Sequence, residues 1–487
     1  LDPVMSMADA TPQLEYLFYN TATGEYIESL PITGVTFSGG PVNQAGSWSG
    51  NFDLSDVGLQ SKNWGQSTKP NWATLVVDLN GQIVFAGPVT GRKPAFNEQG
   101  FTFALDAMEG YSWLSHWVQA TDYSSPPYSG ITGIAGSGMP IWNKPFLQLG
   151  AGATNMGPPY GSQPYIWDPM LMAAQIVADK YSSSSNYGIW GGDMAICCNG
   201  IEVWNGSDGG DSGYEYLLQD EMTFNLTGEP TTGLRTPLNS YVSINFPYTS
   251  LQTLSNILSQ YTALGFGVGF DAAVDFAYSA GKYSKINATL NFSYPRRGGV
   301  LNYNQAYGPA STLYIDCGKA HDWTFPEDGT AQANVDFETG GNQDIVALEN
   351  IYTEHGEPYG GYINTEKVTN VANMNSPNPT LLLQRMASSD LNLYSWPPVA
   401  PVITVDMFDP ECGLGQFIVG QDALVILPSR DQDGNVFDPR FPGGLWNEWR
   451  IVSYSATVAD AGDCLISFTL DTPPQQGENR QSPTLIV

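Results

Sequence analysis

Between Trp72 and Leu114 the chain reads WATLVVDLNGQIVFAGPVTGRKPAFNEQGFTFALDAMEGYSWL. Ala73, Leu75, Val77 and Leu79 recur at every second position, with Thr74 and Asp78 between them. This is the period-two pattern of a strand with one apolar and one solvated face. Asn80-Gly81 follows, and both residue types tolerate the positive φ that a two-residue hairpin turn requires. The pattern then predicts a second strand, a short excursion, and a third strand on which Phe101, Phe103, Leu105 and Ala107 alternate again. A β-meander is thus specified almost residue by residue, and a helical bundle is excluded for this part of the chain.

The remainder agrees with a mainly β fold. The 487 residues include 53 Gly and 34 Pro, spread throughout, which favours turns and short strands over long helices. A chain of this length exceeds one core and is expected to divide into about three or four domains. Only 14% of residues are charged, below the usual quarter, so Ser, Thr, Asn, Gln and Tyr must carry much of the surface.

The charge that is present is one-sided. Acids number 48 against 18 bases, a formal net charge of −30, and residues 1–61 contain no Lys or Arg. Such a surface does not bind nucleic acid by releasing phosphate counterions; it repels DNA, which suits a passage through which DNA must move without sticking. Simple solubility is the plainer account of the same charge. Five cysteines (Cys197, Cys198, Cys317, Cys412, Cys464) show no CxxC spacing and no His partner at ligand distance in sequence, so reduced thiols and folding in a cytoplasm are expected, with no disulfide framework and no zinc site. No secretory leader and no apolar run long enough for a membrane span is recognisable.

Strands are expected at Leu14–Tyr19, Gly34–Phe37 and Trp48–Leu54, which with the meander make residues 1–120 an N-terminal β-barrel domain. Residues 121–300 read as a loop-rich middle region with two helices and an α+β subdomain. Asp168-Pro169 suits a helix start, with Leu171, Ala174, Ala178 and Tyr181 on one face. A second helix is expected from Thr249 or Ser250, carrying Leu251, Leu254, Leu258 and Tyr261 and ending at Gly265. Phe266–Tyr278 and Ile286–Tyr294 read as a strand pair. Residues 376–399 form a short helical connector opened by Asn378-Pro379, with Leu382 and Met386. Residues 301–375 and 400–487 form a second β domain, with strands at Val402–Met407, Ala423–Leu427, Trp449–Thr457 and Leu465–Asp471 and a last hairpin turning over Ala459–Asp463. No repeat of fixed period is visible.

Little in the chain carries chemistry. Glu327-Asp328 and Glu215 with Asp220-Glu221 could be glycosidase carboxylates, but spacing in sequence says nothing of their separation in space. Asp431-Gln-Asp433-Gly434-Asn435 lacks the downstream bidentate Glu of a calcium loop and reads as a β-turn. There is no Gly-x-Ser-x-Gly elbow, phosphate loop or HExxH. His116, His321 and His355 are scattered, and His116 beside Trp117 reads as a packing residue. The 13 Trp and 26 Tyr could stack on sugars, but a β-rich core accounts for most of them. Neither a catalytic residue nor a cofactor or metal site is therefore expected. The scarce basic clusters are Arg92-Lys93 and Arg296-Arg297, the latter near Lys282 and Lys285. On so acidic a chain they are candidates for contacts to a neighbouring subunit, against the plain reading of surface charge.

Several segments, in order, resemble a known family. They are WATLVVDLNGQIVFAGPVTGRKPAF, FTFALDAMEGYSWLSHWV, DPMLMAAQIVADKY, SLQTLSNILSQYTALGFGVGFDAAVDFAY, DWTFPEDGTAQANVDFETG, GQDALVIL and WRIVSYSATVADAGDCLISFTLD. Their arrangement is similar to that of minor tail proteins of long-tailed bacteriophages, the baseplate-hub or tail-tip-hub class, of the kind found in phages of actinobacteria. Residues 121–166 and 188–245 depart from it, being longer and richer in Gly and Pro. The resemblance implies two tube-like β-barrels plus a smaller α+β middle domain per subunit. It implies a homotrimer that presents six similar units to the tail tube and opens for genome ejection. Implied partners are the distal tail or tail tube protein, other tail tip or fibre proteins, the tape measure protein and DNA in transit. The implied location is the virion tail tip, after assembly in the host cytoplasm, and no catalysis is implied. The alternative from another class is an extracellular carbohydrate-binding or carbohydrate-active β protein.

Overall fold

A computed structural model of the chain describes residues 14–40, 44–54, 56–59, 61–97, 100–118, 146–150, 154–155, 164–165, 194–198, 201–205, 243–247, 253–262, 273–280, 283–293, 313–326, 335–340, 345–349, 366–371, 401–430, 434–439, 441–459, 463–471 and 484–485, with a few single positions besides. The first part holds β1 (Leu14–Asn20), β2 (Tyr26–Ser29), β3 (Thr33–Gly39), β4 (Ser47–Asp53), the one-turn helix α1 (Trp64–Ser67), β5 (Ala73–Leu79), β6 (Gln82–Asn97) and β7 (Gly100–Met108). The middle holds β8 (Phe146–Gly150), β9 (Thr154–Asn155), β10 (Pro164–Tyr165), β11 (Met194–Cys198), β12 (Ile201–Asn205), β13 (Ser243–Pro247), α2 (Leu254–Thr262), β14 (Ala273–Ala280) and β15 (Ile286–Ser293). The last part holds β16 (Tyr314–Asp316), β17 (Asp322–Thr324), β18 (Val335–Gly340), β19 (Ile345–Glu349), β20 (Glu366–Val371), β21 (Val402–Asp406), β22 (Asp422–Leu427), β23 (Leu445–Val458), β24 (Leu465–Asp471) and β25 (Thr484–Leu485). The chain is a multidomain, mainly β fold with a few short helices.

Its organising element is a 13-stranded sheet that both ends of the chain build together. The order is β17-β21-β24-β23-β3-β4-β7-β6-β5-β1-β2, with β22 also on β23 and β16 on β22. The seam is β3 against β23, antiparallel from Gly39 opposite Tyr454 to Val35 opposite Val458. Inward side chains of both halves enter one apolar core. Phe18, Trp48, Phe52, Leu75 and Leu105 lie in the same cluster as Ile403, Val425, Ile451, Ile466 and Phe468. Thus β16 and β17 join the main sheet, whereas β18, β19 and β20 form a separate four-stranded sheet with β25. A third sheet, β12-β11-β15-β14, contains the expected strand pair of the middle region.

Side chains hold the seam as well as the strand ladder. Gly39 leaves room for the Tyr454 ring, which lies where a Cβ at position 39 would stand. That ring meets Phe37 and Phe417 edge-on, at centroid distances of 6.3 and 5.1 Å. The Tyr454 hydroxyl donates to the Val84 carbonyl at 3.2 Å, and Gln82 Nε2 donates to the Gly415 carbonyl at 2.8 Å. The hairpin turn of the meander therefore touches the C-terminal half directly.

The meander forms as its pattern requires, with two differences. Asn80 and Gly81 both have positive φ, 51° and 94°, and Asp78 Oδ2 accepts the Gly81 N–H at 2.9 Å. The short excursion expected after the second strand does not exist. β6 runs unbroken from Gln82 to Asn97 and pairs with β7 down to Asn97 opposite Gly100. Nor is β5 half-buried: Thr74 and Asp78 are as inaccessible as Ala73, Leu75 and Val77. The middle region covers this second face. Ser284 and Gly24 carbonyls accept the N–H groups of Tyr26 and Ile286, and Tyr26 bridges the rings of Tyr19 and Tyr283. Thr74 shares a hydrogen bond with Thr21 at 2.9 Å, which satisfies a hydroxyl that the pattern alone assigns to water.

The helices differ in detail. α2 begins at Leu254, not at Thr249 or Ser250; Leu251 stands outside it at φ 49° and is exposed. Thr253 Oγ1 accepts the Asn256 N–H at 3.3 Å, the N-cap contact that fixes this start. Leu254, Ile257 and Leu258 are its buried stripe. Of the helix expected from Asp168, Val177 is helical and buried, and the rest lies outside the described residues. In the connector, Leu383, Ala387 and Leu391 are helical and buried, while Leu382 and Met386 lie outside the described residues. The final hairpin pairs Thr457 with Leu465.

Candidate assembly surface

The outward face of the main sheet is built from short hydroxyls. Five strands carry them, at outward positions that recur every second place while the inward residues enter the core. One row crosses four strands in register. Thr404 stands opposite Ser467, Ser467 opposite Ser455, and Ser455 opposite Ser38. Ser38 then shares a hydrogen bond with Ser47 on β4 at 3.3 Å. The next row runs from Asp406 through Leu465, Thr457 and Thr36. It continues from Thr36 to Ser49 and from Ser49 to Asp106. Thr404 and Ser467 share a hydrogen bond of 2.8 Å, and so do Thr36 and Ser49. Ser and Thr groups that satisfy one another across strands make a flat, neutral face.

Its charges are mainly acidic. Asp53, Asp106, Asp406 and Asp471 lie at outward positions. Among the described residues of this face on β21, β24, β23, β3, β4, β7 and β6, the cations are Lys93, whose Nζ lies 3.3 Å from Asp106 Oδ2, and Arg450, which is buried and stands opposite Asp471 and Asp422 in register. The face spans the seam, so neither half of the chain forms it alone.

Of the four basic residues singled out by sequence, two fall on β6. Lys93 points outward and is engaged by Asp106. Arg92 points the other way, onto the face of Leu105, and its Nη1 donates to the Gly65 carbonyl of α1 at 2.8 Å. Neighbours in sequence thus serve opposite faces. Arg296 and Arg297 lie outside the described residues, as do Glu215, Asp220, Glu221, Glu327, Asp328 and Asp431 to Asp433. Beside the last of these, Gly434 has φ +85° and its carbonyl accepts from Arg430 Nη1 at 2.6 Å, closing a turn whose flanks Arg430 and Val436 form an isolated bridge.

The remaining candidates are structural where described. His116 lies against the Trp113 ring at 6.0 Å. Cys317 and Cys412 are free and buried, and burial pushes each thiol up to about 12. Trp48 and Trp449 are core residues, and Trp446 is the exposed tryptophan among the described residues. Among the described residues no group of three or more His, Cys, Asp or Glu is placed to hold a metal ion, and no helix is long and apolar enough to cross a membrane.

Two features escape a residue-by-residue reading of the sequence. One is the hydroxyl face, signalled only by Thr-x-Ser and Ser-x-Ser spacings at 36–38, 47–49, 453–457 and 467–469. The other is an aromatic pair at the tip of the β6–β7 hairpin: Phe96 and Phe101 stand opposite each other, 4.5 Å apart, and are 72% and 55% exposed.

No protein-family profile and no curated protein matches the sequence. Among solved structures the chain is similar to the 43 kDa tail protein of prophage MuSo2 from Shewanella oneidensis, at 12% identity and a TM-score of 0.47 over 95% of this chain and 99% of that one. It is similar to a tail protein from Neisseria meningitidis MC58, at 10% identity and a TM-score of 0.46 over 96% and 98%. It is also similar to the prophage tail protein gp18 from Listeria monocytogenes EGD-e, at 10% identity and a TM-score of 0.43 over 93% and 94%.

Proposed function

We propose that this chain is a structural protein of a phage tail, a hub at the tail tip whose subunits close into a ring around a passage for DNA. The observation that carries the reading is the hydroxyl face: it is wide, it crosses the seam between the two ends of the chain, and of its described cations Arg450 is buried and the exposed Lys93 is already held by a carboxylate. DNA sliding past a wall must meet few fixed cations, since each adds a phosphate contact. Short neutral hydroxyls, already bonded to one another, give a phosphate little to hold.

In this reading the two ends of the chain supply two β units per subunit, residues 1–120 and residues 301–375 with 400–487. Three subunits then present six similar units to the tail tube, as the resemblance of the meander and the terminal hairpin to hub proteins implies. Distal tail, tape measure and fibre proteins are its neighbours, and catalysis has no part in it.

Cryo-electron microscopy of the particle that carries this chain tests the proposal. Three copies in a closed ring, with Ser38, Ser47, Ser455 and Ser467 turned to the lumen, are expected. A six-copy ring, a monomeric fibre, or a lumen lined by Lys and Arg would overturn it. In solution, the purified chain should leave duplex DNA unretarded at low salt, and Thr36→Lys with Ser455→Lys and Ser467→Lys should introduce salt-sensitive binding.

A further inference from the structure

We infer that the tip of the β6–β7 hairpin is a docking arm that seats on a second copy of this chain. The choice of partner rests on the self-assembling reading above; the arm itself rests on four observations.

First, the apolar line of the inner face does not stop where the core stops. Phe52 stacks on Phe103 at 4.9 Å, Trp64 meets both, and the line continues along β7 to Phe101 and across to Phe96, which are exposed. Second, Arg92, Pro94 and Phe96 share one face, opposite Leu105, Phe103 and Phe101 in register. An arginine beside stacked aromatics is the composition that protein interfaces favour. Third, the free edge of the arm is blunted. Beyond Val89, β6 pairs with β7 alone among the described residues, and this edge carries Arg92, Lys93 and Pro94. Cationic side chains and a missing N–H discourage strand-to-strand pairing, so the arm engages through its face. Fourth, the charge points to the occupant. On the aromatic face of the arm the charge among the described residues is Arg92, in a chain with 48 acids and 18 bases, while Lys93 lies on the other face and is held by Asp106. A second copy offers an acidic surface, whereas a two-fold contact of arm on arm would oppose Arg92 to itself. The arm therefore meets a different surface of the second copy, and such a contact repeated head-to-tail closes a ring.

The test is sedimentation velocity of the full-length chain over a range of concentrations, at low and raised salt. The double variant Phe96→Ser/Phe101→Ser should weaken self-association at least about tenfold, as loss of an aromatic anchor does. Arg92→Glu should weaken it too, most at low salt, and Lys93→Glu, on the opposite face, should not. Far-UV circular dichroism and an unchanged urea midpoint establish that each variant is folded. Assembly that survives both the aromatic variant and Arg92→Glu overturns the arm while leaving self-assembly standing. A wild-type chain that stays monomeric at every concentration overturns the second copy as occupant and the ring with it.

Discussion

Replacing Gly39 by alanine probes the seam between the two halves of the main sheet. A Cβ at position 39 would lie 2.1 Å from Tyr454 Cε1 and 2.7 Å from Cδ1, well inside the 3.4 Å at which ordinary contact begins. The ring cannot simply swing away. Phe37 and Phe417 hold its sides, its hydroxyl is bonded to the Val84 carbonyl, and its backbone is paired to Gly39 itself. Relief requires a shift of β3 from β23 or a new rotamer for Tyr454. Overpacking of this kind costs about 1–3 kcal/mol, and loss of the hydroxyl contact adds about 1 kcal/mol. Gly39→Ala should therefore destabilise the protein by about 2–4 kcal/mol in urea unfolding followed by tryptophan fluorescence. The cost belongs to the pair. In a Tyr454→Ala background the same substitution should be neutral to within about 0.5 kcal/mol. A cost below that in the wild type, or an equal cost in both backgrounds, would refute the argument that Gly39 exists to admit the ring.

Alkali should destabilise the fold. Burial holds the Cys317 and Cys412 thiols and the Tyr19 and Tyr111 hydroxyls at about 12, above their usual 9 and 10. The unfolded chain therefore loses these protons first, so stability present below pH 9 should decline as pH rises from 9 towards 12, read from urea midpoints at successive pH values. Glu28 is buried and accepts from the Asn63 N–H at 3.1 Å and from the Ser67 hydroxyl. Glu28→Ala removes the acceptor of the Asn63 N–H and leaves the Ser67 hydroxyl only its longer bond to the Asn63 carbonyl at 3.4 Å; it should cost about 1–3 kcal/mol, whereas an unchanged midpoint would show that water takes its place. Gly81 has open space where a Cβ would stand, so only its φ of 94° resists substitution. Gly81→Ala should cost about 1–2 kcal/mol without changing the tertiary circular dichroism, and a negligible cost would mean that the turn relaxes to another type.

Local chemistry determined the strands and the turns. Period-two alternation marks β3, β4, β7, β21 and β24 because a pleated backbone sends successive side chains to opposite faces, whatever lies beside it. Asn80-Gly81 specifies its hairpin for a similarly local reason, since the φ values are properties of those two residues. What lies on each face is a different matter. Thr74 and Asp78 look solvent-facing by pattern, yet Thr21 and the neighbouring turn satisfy them in a buried layer. The spacings of Thr36, Ser38, Ser47, Ser49, Ser455 and Ser467 show hydroxyls turned one way on their strands, but not that β23 pairs with β3 to join them into one face. Arg92 and Lys93 are a basic pair in sequence; strand geometry parts them, one towards Gly65 and the other towards Asp106. Which strands become neighbours depends on the shared core that Phe37, Tyr454, Phe417 and Phe468 close from distant parts of the chain. That choice is a property of packing across the whole fold, and no local period encodes it.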